Sequence, residues 1–103
     1  MVDLKRFEEG KSLYRKTIPV ARRALGEGHD VTFRMRKGYA RALCEDPAAT
    51  VDDLHEAVTT LEETMRAARR VMGRAHPLTA AIEHDLRKRR AALRARETQP
   101  TSG

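Results

Sequence analysis

Few residues of this chain stand at spacings that support bond-breaking chemistry. His55-Glu56-Ala57-Val58-Thr59 opens like the helical zinc-protease pattern, in which two histidines four positions apart bind the metal and the intervening glutamate acts as base. Thr59 occupies the second ligand position, which excludes a two-histidine site there. His29 and His76 are metal ligands by residue type, yet both sit in matching turns, which points to a shared structural role. Cys44 precedes Glu45 and Asp46, whose charges oppose thiolate formation, and no histidine lies near it in sequence; a buried structural thiol is expected. No glycine-rich phosphate loop and no nucleophile elbow is present. The expectation is a noncatalytic protein with no metal and no cofactor.

Basic side chains offer a different chemistry, the recognition of anions. Arg34, Lys37 and Arg41 recur at i, i+3 and i+7, one face of a helix, roughly opposite Met35, Tyr39 and Leu43. A second cluster, Arg87-Lys88-Arg89-Arg90 with Arg94 and Arg96, has the composition that grips phosphates on nucleic acid or an anionic membrane. Phe7, Tyr14, Phe33 and Tyr39 are the only aromatics, and three of them (all but Phe33) fall on apolar stripes, which leaves little for base stacking.

These residues must be positioned by a small chain. With 103 residues, 40% hydrophobic and 35% charged, it supports one domain and hides only about 60–68% of its unfolded surface, which disfavours a deep enclosed cavity. One cysteine excludes an internal disulfide framework, and residues 1–11 hold no apolar run of the signal-peptide kind. A cytoplasmic location without a membrane span is expected. Four stretches carry a helical hydrophobic period closed by helix-stopping residues, at about 3–25, 30–44, 51–72 and 77–96. Their stripes include Phe7, Tyr14, Ile18, Ala21 and Leu25; Val31, Met35, Tyr39 and Leu43; Leu54, Val58, Leu61, Met65 and Ala68; and Leu78, Ile82, Leu86 and Leu93. Gly26 and Gly73 end the first and third helices, Thr50 and Asp53 form a capping pair, and Pro77 suits a first helical position. Pro19 is expected to bend its helix without breaking it, and Gly38 to admit a neighbouring backbone. The domain is expected to span 1–96, with 97–103 a disordered tail.

Sliding the chain 47 residues along itself exposes an internal repeat. Phe7 falls on Leu54, Tyr14 on Leu61, Ile18 on Met65, Ala21 on Ala68, Met35 on Ile82 and Tyr39 on Leu86. Identities include Thr17 with Thr64, Arg22-Arg23 with Arg69-Arg70, Gly26 with Gly73, His29 with His76 and Thr32 with Thr79; Lys11 on Val58 is a mismatch within the stripe. A helix pair repeated in tandem predicts an all-α, antiparallel helix-hairpin α-solenoid of four helices, about two incomplete units.

The turn Leu25-Gly26-Glu27-Gly28-His29-Asp30-Val31-Thr32 and its copy Met72-Gly73-Arg74-Ala75-His76-Pro77-Leu78-Thr79 resemble the Leu-Gly-x-x-His-Pro-x-Thr linker of tetratricopeptide repeats, specifically the longer kinesin light chain-like ones. Phe7-Glu8-Glu9-Gly10 and Leu54-His55-Glu56-Ala57 resemble the start of that family's second helix, and Tyr39-Ala40 with Leu43 its first. The 47-residue spacing is longer than usual, and Arg87 and Arg90 stand where small or apolar residues would precede another repeat, as on a polar terminal cap. The resemblance implies a noncatalytic protein-interaction scaffold. It places Arg34, Lys37 and Arg41 in a concave groove continued by Ala81, His84, Asp85 and Lys88, so that Arg34, Lys37, Arg41, His84 and Lys88 are the expected peptide-binding residues and an acidic peptide the expected partner. The alternatives are nonspecific nucleic-acid binding through the basic last helix, and a self-assembling element or terminal cap joined through the apolar edge of the first helix.

Overall fold

The computed structural model describes residues 4–98. Four helices follow one another, α1 (Leu4–Leu25), α2 (Asp30–Glu45), α3 (Val51–Met72) and α4 (Pro77–Thr98), and no strand occurs among the described residues. Successive helices pack as hairpins: α1 on α2, α2 on α3 and α3 on α4, with α2 also touching α4. The core gathers Ile18, Phe33, Tyr39, Leu43, Leu54, Leu61, Ala68, Ile82, Leu86 and Leu93. The stripes thus meet as an α-solenoid requires, each hairpin covering apolar surface that the other cannot hide alone.

The two copied turns have the same geometry. Gly26 and Gly73 take positive φ of 97° and 87°, a conformation that glycine alone adopts without steric cost. Their N–H groups donate to Arg22 and Arg69 carbonyls at 3.0 and 3.1 Å. In the first turn of each following helix, His29 Nδ1 accepts from the Val31 N–H at 3.1 Å and His76 Nδ1 from the Leu78 N–H at 3.0 Å. Each histidine therefore satisfies a helix N-terminal donor, the role of a capping side chain. The connection between the hairpins differs: Thr50 and Asp53 cap each other, the Thr50 hydroxyl accepting from the Asp53 N–H at 3.1 Å and the Asp53 carboxylate from the Thr50 N–H at 2.9 Å.

Several expectations are corrected. α4 continues through Thr98, so Glu97 and Thr98 are helical and not tail; Asp3 and residues 99–103 lie outside the described residues. α1 does run unbroken past Pro19, as expected. Gly38 makes room for a side chain and not a backbone: a Cβ there would lie 2.9 Å from Tyr14 Cζ. Leu25 and Val31 are exposed, whereas Phe33, outside the expected stripe, is fully buried. α2 is the middle helix, covered from α1, α3 and α4, so its buried arc is wider than one stripe.

The mismatch in the repeat is filled by a charge pair. Lys11 and Asp46 are 4% and 5% exposed, and their charged ends meet at 2.8 Å. Forty-seven residues on, the same two positions hold Val58 and Leu93, both buried. Asp46 also accepts from the Ala48 N–H at 2.8 Å, and Glu8 approaches Lys11 at 2.9 Å.

Candidate functional site

An open groove of about 410 Å³ lies where α2 passes the start of α4, lined by Arg34, Lys37, Gly38, Arg41, Pro77, Leu78 and Ala81. The i, i+3, i+7 spacing puts the three cations on one face of α2, and Pro77, Leu78 and Ala81 supply a small apolar floor from the first turns of α4. Each cation already has a carboxylate neighbour. Lys37 meets Asp85 across the groove at 3.3 Å, Arg34 approaches Asp30 at 3.5 Å, and the Arg41 Nε sits 3.1 Å from both Glu45 oxygens. The Arg34 and Arg41 pairs are one-turn pairs on an exposed helix face, which hold weakly and exchange readily for an incoming carboxylate. The Lys37–Asp85 pair is more enclosed and sets the resting charge of the groove.

His84 and Lys88 are exposed on α4 and do not line this groove. Lys88 shares the face of Ala81 but lies two turns further on, beyond the groove's lining residues, and His84 is turned off that face, while α2 and α4 stay in contact past the groove through Lys37–Asp85 and Glu45–Arg89. The arginine cluster on α4 is divided between surfaces. Arg89 is buried beside Glu45, Arg90 pairs with Glu62 on α3 at 2.6 Å, and Arg96 donates to the Ala49 carbonyl at 3.1 Å, which removes three cations from any single phosphate-gripping surface.

A second trough, about 360 Å³, separates α1 from α3 and is lined by Arg15, Arg22, Arg36, Tyr39, Glu56, Thr60 and Glu63 among others. Tyr39 organises it. Its hydroxyl donates to the Glu56 carboxylate and accepts from Arg15 Nε at 3.1 Å, while the Arg15 guanidinium lies 5.6 Å from its ring centroid and Tyr14 meets it edge-on. Burial, and then the Glu56 carboxylate, push the Tyr39 hydroxyl above its ordinary pKa, so it stays a neutral donor. Arg36 is buried here with Glu63 at 3.3 Å; burial lowers its pKa, and Arg22 nearby adds to the effect. Sequence reasoning missed Arg36; the one available signal was that it lies between Phe33 and Tyr39 on a helix flanked on both sides by others.

No group of three or more metal-ligating side chains gathers among the described residues, and none of the described helices is long and apolar enough to cross a membrane. Cys44 is half-buried, and burial pushes its thiol above the ordinary value. Its alkylation at pH 8 is expected to run at least about tenfold slower than that of a free cysteine, a difference read by timed thiol titration of folded against urea-unfolded protein.

Residues 49–78 match a family model described as tetratricopeptide repeat. The match takes in the Thr50 cap, all of α3, the Gly73–His76 turn and the start of α4, and the 47-residue register carries the same pattern onto residues 2–31. No curated protein and no solved structure matches the chain. A tetratricopeptide-type repeat is a helix-hairpin module that generally binds proteins without catalysis, and the packing of the two hairpins agrees with it.

Proposed function

We propose that this protein is a cytoplasmic, noncatalytic scaffold that holds an acidic peptide in the groove between α2 and α4. One observation carries the reading: three cations of α2 converge on an open groove with an apolar floor, in a chain of net charge +6. Guanidinium forks at Arg34 and Arg41 suit carboxylates bidentately, and Pro77, Leu78 and Ala81 suit one small apolar side chain between two acidic ones. A segment running on along α4 would meet Lys88 about 10 Å beyond Ala81, with His84 at its edge. The likeness of both turns to kinesin light chain-like repeats supports the same class of ligand.

The test is fluorescence polarisation with an acidic peptide that carries one leucine among aspartates and glutamates. Binding is expected to weaken as salt rises, and the triple change Arg34→Glu, Lys37→Glu, Arg41→Glu is expected to lower affinity at least about tenfold. Asp85→Asn, which releases Lys37, is expected to tighten binding about two- to fivefold. An affinity unchanged by the triple variant overturns the reading, and tighter binding of random duplex DNA than of the peptide transfers the role to the basic residues of α4.

A further inference from the structure

α3 meets its two neighbours with two different faces. Toward α4 it offers Glu62 and Arg69, paired with Arg90 at 2.6 Å and Glu83 at 2.7 Å. Toward α2 it offers Glu56, bonded by Tyr39, and Glu63, paired with Arg36. Thr60 lies between them in the trough under α2, Ala67 lines its continuation beside Arg36, and Val71 Cγ2 sits 3.1 Å from where a Cβ on Gly28 would stand.

The 47-residue register carries this second face onto α1, as Glu9, Leu13, Lys16, Val20 and Ala24. On α1 it has no occupant among the described elements, since α1 packs on α2 with its other face. Leu13 and Val20 are 65% and 52% exposed. They replace the half-buried Thr60 and Ala67, so the α1 copy is the more apolar at these two positions, while Ala24 stands for Val71, which is itself exposed. Gly10, Leu13, Thr17, Val20 and Ala24 follow at steps of three and four, the seam spacing of two packed helices, with small residues that allow close approach.

The charges beside the seam select the occupant. Glu9 flanks its N-terminal end and Arg23 its C-terminal end, fourteen residues on and along the same edge of the helix. We infer that this face joins two copies of the chain, α1 against α1, antiparallel about a two-fold axis level with residues 16 and 17. Leu13 then lies level with Val20 of the second copy, and Glu9 reaches the partner's Arg23, twice by symmetry. A parallel pair would leave Glu9 and the partner's Arg23 fourteen residues apart along the seam, with no ion pair between them. A head-to-tail stack needs an apolar outer face on α4, but the positions that copy the buried Ala40 and Leu43 are Arg87 and Arg90. The isologous pair closes, and each polar α4 becomes an outer end.

One helix pair is a small interface, so the dimer is expected to form and dissociate with concentration. Sedimentation velocity from about 5 to 500 µM is expected to show a monomer–dimer shift. Val20→Glu is expected to leave only monomer with the helical circular dichroism unchanged, because Val20 faces solvent in the single chain. Glu9→Arg and Arg23→Glu are each expected to weaken the dimer severalfold, and together to restore it, since the pair is then reversed. A monomer at every concentration gives the face to some other occupant and overturns the inference. So does association that survives Val20→Glu, or a double charge variant no better than either single one. The surface is separate from the α2–α4 groove, so neither result decides the peptide reading.

Discussion

Phe33→Ala is expected to remove half or more of the unfolding free energy, read as a large fall in the urea midpoint with little change in slope. Phe33 is fully buried on α2, the helix that touches all three others. Truncating a buried phenylalanine costs about 3–5 kcal/mol through lost burial and the cavity left behind. A chain of this length has about 5–15 kcal/mol in all, and a core this small belongs near the lower end. The repeat supplies the control. Forty-seven residues on, Ala80 occupies the matching place on α4 and is exposed. Ala80→Phe is expected to shift stability by no more than about 0.5 kcal/mol, because the site has no facing helix. Equal losses at the two positions would mean that α2 is not the central helix.

The second large effect is expected at the Lys11–Asp46 pair. Asp46→Leu leaves the largely buried Lys11 ammonium with only the exposed Glu8 as partner, and a buried charge stripped of its main counter-ion is a costly defect. The thermal midpoint should fall by about 5 °C or more. Lys11→Val with Asp46→Leu recreates the Val58 and Leu93 of the second hairpin, and should recover most of that loss, short of the turn bond from Ala48. The hydrogen bond from Lys11 holds the Asp46 carboxyl below the usual carboxylate range, and Asp46 in turn holds the Lys11 ammonium above its ordinary value. The carboxylate's share of stability is complete above the ordinary Asp value and is lost as the pH falls through the depressed one. The ammonium's share is complete below the ordinary Lys value and is lost as the pH rises through the raised one. The pair therefore acts over about pH 5 to 10, and the double variant should show a flatter loss of stability below about pH 4. A double variant no more stable than Asp46→Leu alone would show that the charges, and not the packing volume, are what this position requires.

Much of the molecule was legible from residues close together in the chain. The helix ends follow from Gly26, Gly73, Thr50 with Asp53, and Pro77, whose effects act within a turn or two of backbone. The paired histidines were recognised as structural by their place in copied turns, and each caps a helix. The face Arg34, Lys37 and Arg41 was readable because helical spacing alone places side chains on one side. The α4 half of the groove was harder. Lys88 shares a face with Ala81, yet how far α2 follows α4 depends on the angle between two helices that their own periodicities do not contain.

The order of the elements, their boundaries to within a residue or two and the 47-residue register were determined by the sequence itself, since each is set by local backbone preference and by a repeat that needs no knowledge of contacts. Tertiary structure decided which of those equivalent positions are covered. Phe33 is buried and Ala80 exposed, Thr60 faces a helix and Leu13 faces solvent, and Lys11 finds Asp46 thirty-five residues away. The physical reason is the number of neighbours. Equivalent helices carry the same periodic stripe, but a helix in the middle of a stack is enclosed on more sides than one at its edge, and burial, charge pairing and free surface all follow from that place.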